Sequence, residues 1–263
     1  ALVCWVQISS FIRGGLESVC KGRSLTREEY LALGSKRVRL DDSQRHAAYD
    51  VFESYKRFLN SRPDARGAGP ALWDTASRVS RVLQQLMQMR GWRKDGDAMV
   101  KEVGRAVDSR PEALRFSLVY LDECQDYTQA EICLLYLLGD TEKVFLAGDS
   151  AQSVELGVDF RFEEVRSVAS ALKAAMPEKP LSLTVNYRHS GVLSVAAGLL
   201  NLLFSHFPGA ATKLPPDEGL YRGPKPLFMR GHESRKEGEV AVSRLVRANP
   251  TLAVLTWDGA GVK

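Results

Sequence analysis

Leu118-Val-Tyr-Leu-Asp-Glu-Cys-Gln-Asp126 is the stretch on which the reading of this chain turns. It opens on an apolar run, Leu118 to Leu121, of the kind that forms a strand buried on both faces of a parallel sheet. It then changes at once to acid and amide side chains. In open α/β sheets ligands sit beyond the carboxyl ends of the strands, so carboxylates delivered there are placed for chemistry. One carboxylate can hold a magnesium ion, and a neighbour can orient and deprotonate a water. On this reading Asp122 is the magnesium group and Glu123 the base of a nucleoside-triphosphate hydrolysis site. The bare Asp-Glu pair also fits an ordinary solvated turn, so the reading depends on the rest of the chain.

Two later stretches repeat the pattern. Val144-Phe-Leu-Ala-Gly-Asp-Ser-Ala-Gln-Ser153 is a second apolar strand running into a polar loop. Leu181-Ser-Leu-Thr-Val-Asn-Tyr-Arg188 is a third, ending on Asn, Tyr and Arg. Three consecutive strands that each deliver acid, amide or arginine at the carboxyl end predict one convergent polar site.

These residues carry a resemblance. Asp122-Glu-Cys-Gln-Asp126 resembles the second motif (DExxQD) of UvrD/Rep-type superfamily 1 helicases, Gly148-Asp-Ser-Ala-Gln-Ser153 is similar to their third (GDxxQS), and Val185-Asn-Tyr-Arg188 to the NYR of their fourth. Order and approximate spacing agree, firmly over residues 113–205. The resemblance implies an α/β fold: part of the parallel sheet of a P-loop NTPase (RecA-like) domain, with an all-helical insertion subdomain on its N-terminal side. It divides the chain into a helical insertion (1–112), the C-terminal part of a first RecA-like domain (113–205), a linker (206–226) and the start of a second such domain (227–263).

The resemblance also implies roles, with ATP and Mg2+ as cofactors. Asp122 would hold the metal and Glu123 would activate water. Gln152 would sense the terminal phosphate, and Arg188 would neutralise charge developing on the transferred group. Gln125 and Asp126 would link their loop to the neighbouring motifs around the nucleotide, and Asp149 would fix the third-motif loop. The structural alternatives are an ion pair for Arg188 and a loop-capping amide for Gln152. The implied activity is that of an ATP-dependent helicase or translocase acting on single-stranded nucleic acid, DNA ahead of RNA.

Two departures stand against the family pattern. Val154-Glu155 occupies the place of the aromatic that usually follows the third motif, leaving Phe160 or Phe162 as substitutes. No GxxxxGK[ST] occurs, so there is no backbone cradle or lysine for the phosphates. The arginine motif of the second RecA-like domain is missing too. Together with a start that lacks Met, these gaps predict an internal fragment, inactive alone, whose parent chain supplies the phosphate loop and the rest of the second domain. A second reading is a degenerate helicase-like scaffold module, since the divergent third motif is similar to that of very large tetratricopeptide- and ankyrin-repeat proteins. A third is a magnesium nuclease on Asp122, Glu123 and Asp126, which lacks a further acid cluster for a second metal.

Composition fits these readings. Of 263 residues 44% are hydrophobic and 26% charged, which is a globular balance with enough chain for a core. The net charge of +4 is unevenly spread: residues 1–110 hold 20 Lys/Arg against 13 Asp/Glu, the remainder 16 against 19. A basic region beside an acidic one suits a nucleic-acid track next to a metal site, or simply a solvated helical surface. Cys4, Cys20, Cys124 and Cys133 lack metal or disulfide spacing. Together with a first dozen residues too short to span a bilayer, they predict an intracellular protein of nucleus or cytoplasm without membrane partners.

Residues 1–110 read as helices. Thr26-Arg-Glu-Glu29 and Thr128-Gln-Ala-Glu131 are capping boxes. Ser43 and Asp74 are predicted caps, 62–70 a loop, and Gly139 a left-handed helix end. Tyr30, Trp73 and Trp92 read as core before base-stacking platforms. Ser190 is predicted to cap a helix reaching Leu203. Beyond the linker, strands at 227–229 and 252–257 flank a helix at 237–246.

Overall fold

The computed structural model describes residues 1–61, 74–101, 111–114, 116–139, 142–153, 155–174, 176–177, 179–189, 191–207 and 217–220, with isolated positions at 243, 244 and 247. The predicted loop at 62–70, Trp73, the Ser190 cap and the strands and helix beyond 226 fall on residues outside this set, apart from those three positions. Of the described residues, Ala1–Ser182 form one compact unit and those from Leu183 onward belong to a second.

The first unit begins with helices. α1 (Leu2–Val6) runs into a π-helical segment, Gln7–Arg13, which Gly14 and Gly15 end before α2 (Leu16–Lys21). α3 (Arg27–Leu31) starts on the predicted Thr26–Glu29 capping box. α4 (Asp42–Ser61) is capped two residues earlier than expected. Asp41 Oδ1 accepts from the Gln44 amide at 2.8 Å, and the Gln44 side chain accepts from the Asp41 amide at 3.2 Å, which places Ser43 inside the helix. α5 (Thr75–Met89) starts at Asp74, as its sequence predicts.

The helices close over Ile8, Phe11, Ile12, Leu25, Tyr30, Val38, Tyr49 and Phe52. Each large apolar side chain taken out of water here contributes roughly 1.5–3 kcal/mol. The polar groups drawn in with them are satisfied. The Tyr30 hydroxyl donates to Gln7 Oε1 at 2.8 Å. Buried Arg45 donates to the carbonyls of Leu31, Leu33, Val38 and Leu40, tying the α3–α4 connection to one guanidinium.

The helical reading of the first 110 residues misses a hairpin. β1 (Trp92–Asp95) and β2 (Ala98–Lys101) pair antiparallel around Gly96-Asp97, with Gly96 at φ +56° in the first turn position. Four-residue strands are too short for alternation to stand out against helical periodicity. Trp92 and Met99 join a second core with Leu83, Leu86, Met87, Ile132, Tyr136 and Val168. Trp92 and Tyr30 are therefore core residues.

β3 (Val119–Leu121) and β4 (Val144–Leu146) pair in parallel, Val119 opposite Val144 and Leu121 opposite Leu146. α6 (Gln129–Leu138) crosses between them from the predicted Thr128–Glu131 box. Two expectations are corrected here. Gly139 is extended (φ −97°, ψ −178°); a side chain there would meet Val119 Cγ2 at 2.6 Å, so close packing on β3 accounts for the glycine. Among the described residues the strand is covered on one face only. Leu121 is buried, but Tyr120 (71% exposed) lies beside Phe145 on the other face with ring centroids 5.7 Å apart. An apolar run says that a strand prefers cover, not that neighbours supply it. α7 (Phe162–Ala171) completes this unit.

In the second unit β5 is short, Val185–Asn186, and pairs in parallel with β6 (Glu218–Gly219). The predicted third strand is thus reduced to two residues, in a sheet separate from β3 and β4. α8 (Leu193–His206) follows with no side-chain cap. Both units together are a mixed helix-and-sheet fold with short parallel pairs, compatible with a partial α/β architecture.

Candidate strand-end site

The parallel ladder continues past the strand ends. The Ala147 amide donates to the Leu121 carbonyl at 2.8 Å and the Cys124 amide to the Ala147 carbonyl at 2.9 Å. The Asp122–Asp126 and Gly148–Ser153 loops therefore leave side by side from the carboxyl ends of β3 and β4. Each tightens into a single 3-10 turn, Cys124–Asp126 and Ser150–Gln152.

Glu123 makes the first turn possible by adopting a left-handed backbone, φ 54° and ψ 40°. For a residue with a Cβ that conformation costs roughly 1–2 kcal/mol. Neighbouring bonds hold it: the Glu123 amide donates to Asp122 Oδ1 at 2.9 Å, the Asp126 amide to the Glu123 carbonyl at 3.0 Å. Asp122 and Glu123 are both exposed.

Gln125 sits beneath them, fully buried. Its Nε2 donates to Glu123 Oε2 at 2.5 Å and its Oε1 accepts from the Asp149 amide at 2.9 Å. One amide thus joins the two loops. Gly148 is what allows the approach: a Cβ there would stand 2.6 Å from Gln125 Oε1 and 2.7 Å from Cys124 Sγ. In the second loop Asp149 Oδ1 accepts from the Ala151 amide at 2.9 Å and Oδ2 from Gln152 Nε2 at 2.7 Å. Asp126 Oδ1 takes a long bond, 3.4 Å, from the Glu155 amide.

The structure therefore brings Asp122, Glu123, Gln125, Asp126, Asp149 and Gln152 onto two joined loops. Arg188 belongs to the second unit, where its amide donates to Asn186 Oδ1 at 2.9 Å. Burial, with Asp122 and Glu123 nearby, pushes the Cys124 thiol up to about 11, which favours the thiol over the thiolate.

Sequence reasoning misses the residues that hold the downstream loop. Trp5 Nε1 donates to the Leu156 carbonyl at 3.0 Å. Ser10, inside the π-helical segment, donates to the Gly157 carbonyl at 2.6 Å and accepts from the Asp159 amide at 2.9 Å. Gly157 has φ +102°, and a Cβ there would meet Trp5 Nε1 at 2.5 Å. A π-helical turn is the one local sign of a special position, and it is not visible in sequence. Phe160 and Phe162, the substitute stacking residues, pack edge to face on each other at 5.0 Å.

The donor set bears on the implied metal. Among the described residues no group of three or more His, Cys, Asp or Glu could hold an ion. Asp122 alone fits the way magnesium is held when phosphates supply further oxygens. It does not fit a cage made by protein alone, which the nuclease reading would need.

Two parallel strands, a crossover helix and an acidic loop joined to an amide loop give a mixed helix-and-sheet fold, compatible with a partial α/β architecture, that carries a polar strand-end site. Among known proteins, no family model matches this chain. Over 257 residues it is 32% identical to the human (Homo sapiens) protein named TPR and ankyrin repeat-containing protein 1. That match covers 93% of this chain and 8% of the length of that relative.

Proposed function

We propose that this chain is part of a helicase-like, nucleotide-hydrolysing module of the P-loop (RecA-like) class, belonging to a larger ATP-dependent enzyme that works on single-stranded nucleic acid, DNA ahead of RNA. The observation that carries the reading is the Gln125 bridge, which joins an acid loop and an amide loop at the ends of adjacent parallel strands. Asp122 would hold magnesium with the nucleotide's phosphates, and that metal supplies charge compensation when bound. Glu123 would orient a water; it is exposed, and its carboxylate accepts from Gln125 Nε2. Gln125 holds that carboxylate and the Asp149 backbone in fixed relation, so movement of Gln152 can reach Glu123. Arg188 is assigned charge neutralisation through motif resemblance alone. The sequence has no phosphate cradle, so this polypeptide binds nucleotide weakly and turns over essentially none. The compartment proposed is intracellular, nuclear or cytoplasmic; among the described residues no helix is long and apolar enough to cross a membrane.

Titration of the purified chain with ATP, with and without magnesium, tests this. Weak, magnesium-dependent binding that Asp122→Asn removes is expected. Binding indifferent to both metal and Asp122 would end the proposed site. Robust turnover abolished by Glu123→Gln would overturn the account of the missing cradle.

A second reading is favoured by the relative's name and by Val154-Glu155 in place of a stacking aromatic. Here the module is a scaffold within a repeat protein, whose stacked repeats provide extended binding surfaces. A parent chain that lacks both GxxGTGK[ST] and the later arginine motif would favour it.

A further inference from the structure

Of the π-helical segment Gln7–Arg13, Gln7, Ile8, Ser10, Phe11 and Ile12 are buried. A π turn takes one residue more than an α turn; it is rare and often found at functional sites. Here the segment is held from outside at both ends. Past its C-terminal end the Gly14 carbonyl accepts from the Ala130 amide of α6 at 2.9 Å. Ahead of its start, Trp5 Nε1 donates to the Leu156 carbonyl. The loop reached by Trp5 and Ser10 is a single turn, closed by the Val158 amide on the Glu155 carbonyl at 3.4 Å. Its far end takes the Trp5 and Ser10 bonds, and its near end gives the Glu155 amide to Asp126 Oδ1. Two residues ahead of Glu155, the Ser153 hydroxyl donates to the Gln125 carbonyl at 3.5 Å. Bonds therefore lead from the buried π-helical segment to both strand-end loops.

We infer that Trp5 and Ser10 are positioning residues for the strand-end site, and that the π register of Gln7–Arg13 sets where Asp126 and the amide loop stand. With α6 fixing the C-terminal end, a return to α geometry would turn the residues ahead of it by roughly 100° and carry Ser10 away from Gly157 and Asp159. The 155–159 turn would then lose its hold at the far end, and Asp126 its fixed neighbour at the near end. Gly157 marks the same dependence from the other side, since a Cβ there would stand 2.5 Å from Trp5 Nε1 and displace the indole. The geometry stands on the clamp alone, and its consequence for nucleotide rests on the site proposed above.

Hydrogen exchange of the full chain, followed residue by residue with NMR, tests this. In Ser10→Ala the Asp159 amide loses its acceptor and exchanges about tenfold faster or more. The Glu155 and Asp126 amides also exchange faster, although neither bonds to Ser10, while Tyr49 and Phe52 of α4, in the same helical core, keep their rates. Trp5→Phe, which keeps an aromatic ring but not the donor, gives the same pattern more weakly. Acceleration confined to residues 156–159 overturns the inference, because the clamp would then end at its own loop. Equal acceleration at Tyr49 and Phe52 overturns it too, since the whole core would have loosened. Calorimetry with magnesium and ATP measures the consequence separately, and Ser10→Ala weakens binding severalfold. Binding that Asp122→Asn removes but Ser10→Ala and Trp5→Phe leave intact overturns this inference and spares the nucleotide site. An unaltered chain that binds no ATP ends the nucleotide site instead, and the exchange rates alone then decide the clamp.

Discussion

The Asp74 carboxylate accepts from the Arg13 fork, from the Tyr55 hydroxyl at 2.5 Å and from the Ser77 amide at 2.9 Å, so one side chain joins three helical segments. Burial works against its charge, but Arg13, Tyr55 and Ser77 outweigh burial and hold it at about 2. The sign follows from linkage. A carboxyl at about 3.9 in the unfolded chain binds protons that the folded state refuses. Its stabilisation is therefore full above about pH 4 and is lost as pH falls toward 2. Asp74→Asn is expected to lower the urea midpoint at neutral pH and to flatten the acid limb between those values; an acid limb parallel to the unaltered protein's would refute the assignment. Gln125 is the corresponding residue at the strand ends. Gln125→Leu leaves the part-buried Asp149 amide unpaired and should cost about 1–3 kcal/mol in chemical denaturation. Gly148→Ala should cost a similar 1–3 kcal/mol through overpacking. Asp74 could be read as a cap from its place before a helical run. Its partners 61 and 19 residues away could not, because side-chain geometry, not spacing, brings them together.

At the level of elements, what sequence disclosed is what neighbours in the chain decide. Both capping boxes form, since a threonine and a glutamate three residues on need only each other. The Thr128 side chain and Glu131 exchange bonds at 2.7–3.4 Å, and Thr128→Ala is predicted to cost about 1 kcal/mol of stability, measured by thermal unfolding. A neutral result would mean that packing of α6 in the second core fixes its start unaided. Where the outcome depends on distant chain, local pattern failed. Gly139 looked like a left-handed helix end, but it is there because Val119 packs where its side chain would be. Nothing local distinguishes Ser10 from other helical serines, yet it holds the Gly157–Asp159 loop from 147 residues away. Two-sided burial of β3 was inferred from hydropathy, which cannot count the layers around a sheet; Tyr120 and Phe145 remain on an open face.

For the molecule as a whole, the adjacency of the first two strand-end loops was legible, because each apolar run stops at a polar cluster and a capped helix fits between them. The third strand was not: β5 pairs with Glu218–Gly219, a pairing with no hydrophobic signature on its partner. Among the described residues, both hydrophobic cores draw on positions 5–174, within the first unit. Every bond that joins the acid loop to the amide loop, and every bond that Trp5 and Ser10 make to the downstream loop, is also confined to that unit. A unit that contains its own cores and bonds its buried Gln7, Ser10, Ser18, Arg45, Gln125 and Gln129 internally has the physical requirements for cooperative folding by itself. Residues 1–182 expressed alone are therefore predicted to unfold in one transition, with near-ultraviolet dichroism from the buried Tyr30, Tyr49 and Trp92 retained and a Tm within a few degrees of that transition in the full chain. Loss of the near-ultraviolet signal on truncation would show that the second unit is required to order the first, and would move the origin of the strand-end geometry from β3 and β4 to the chain that follows them.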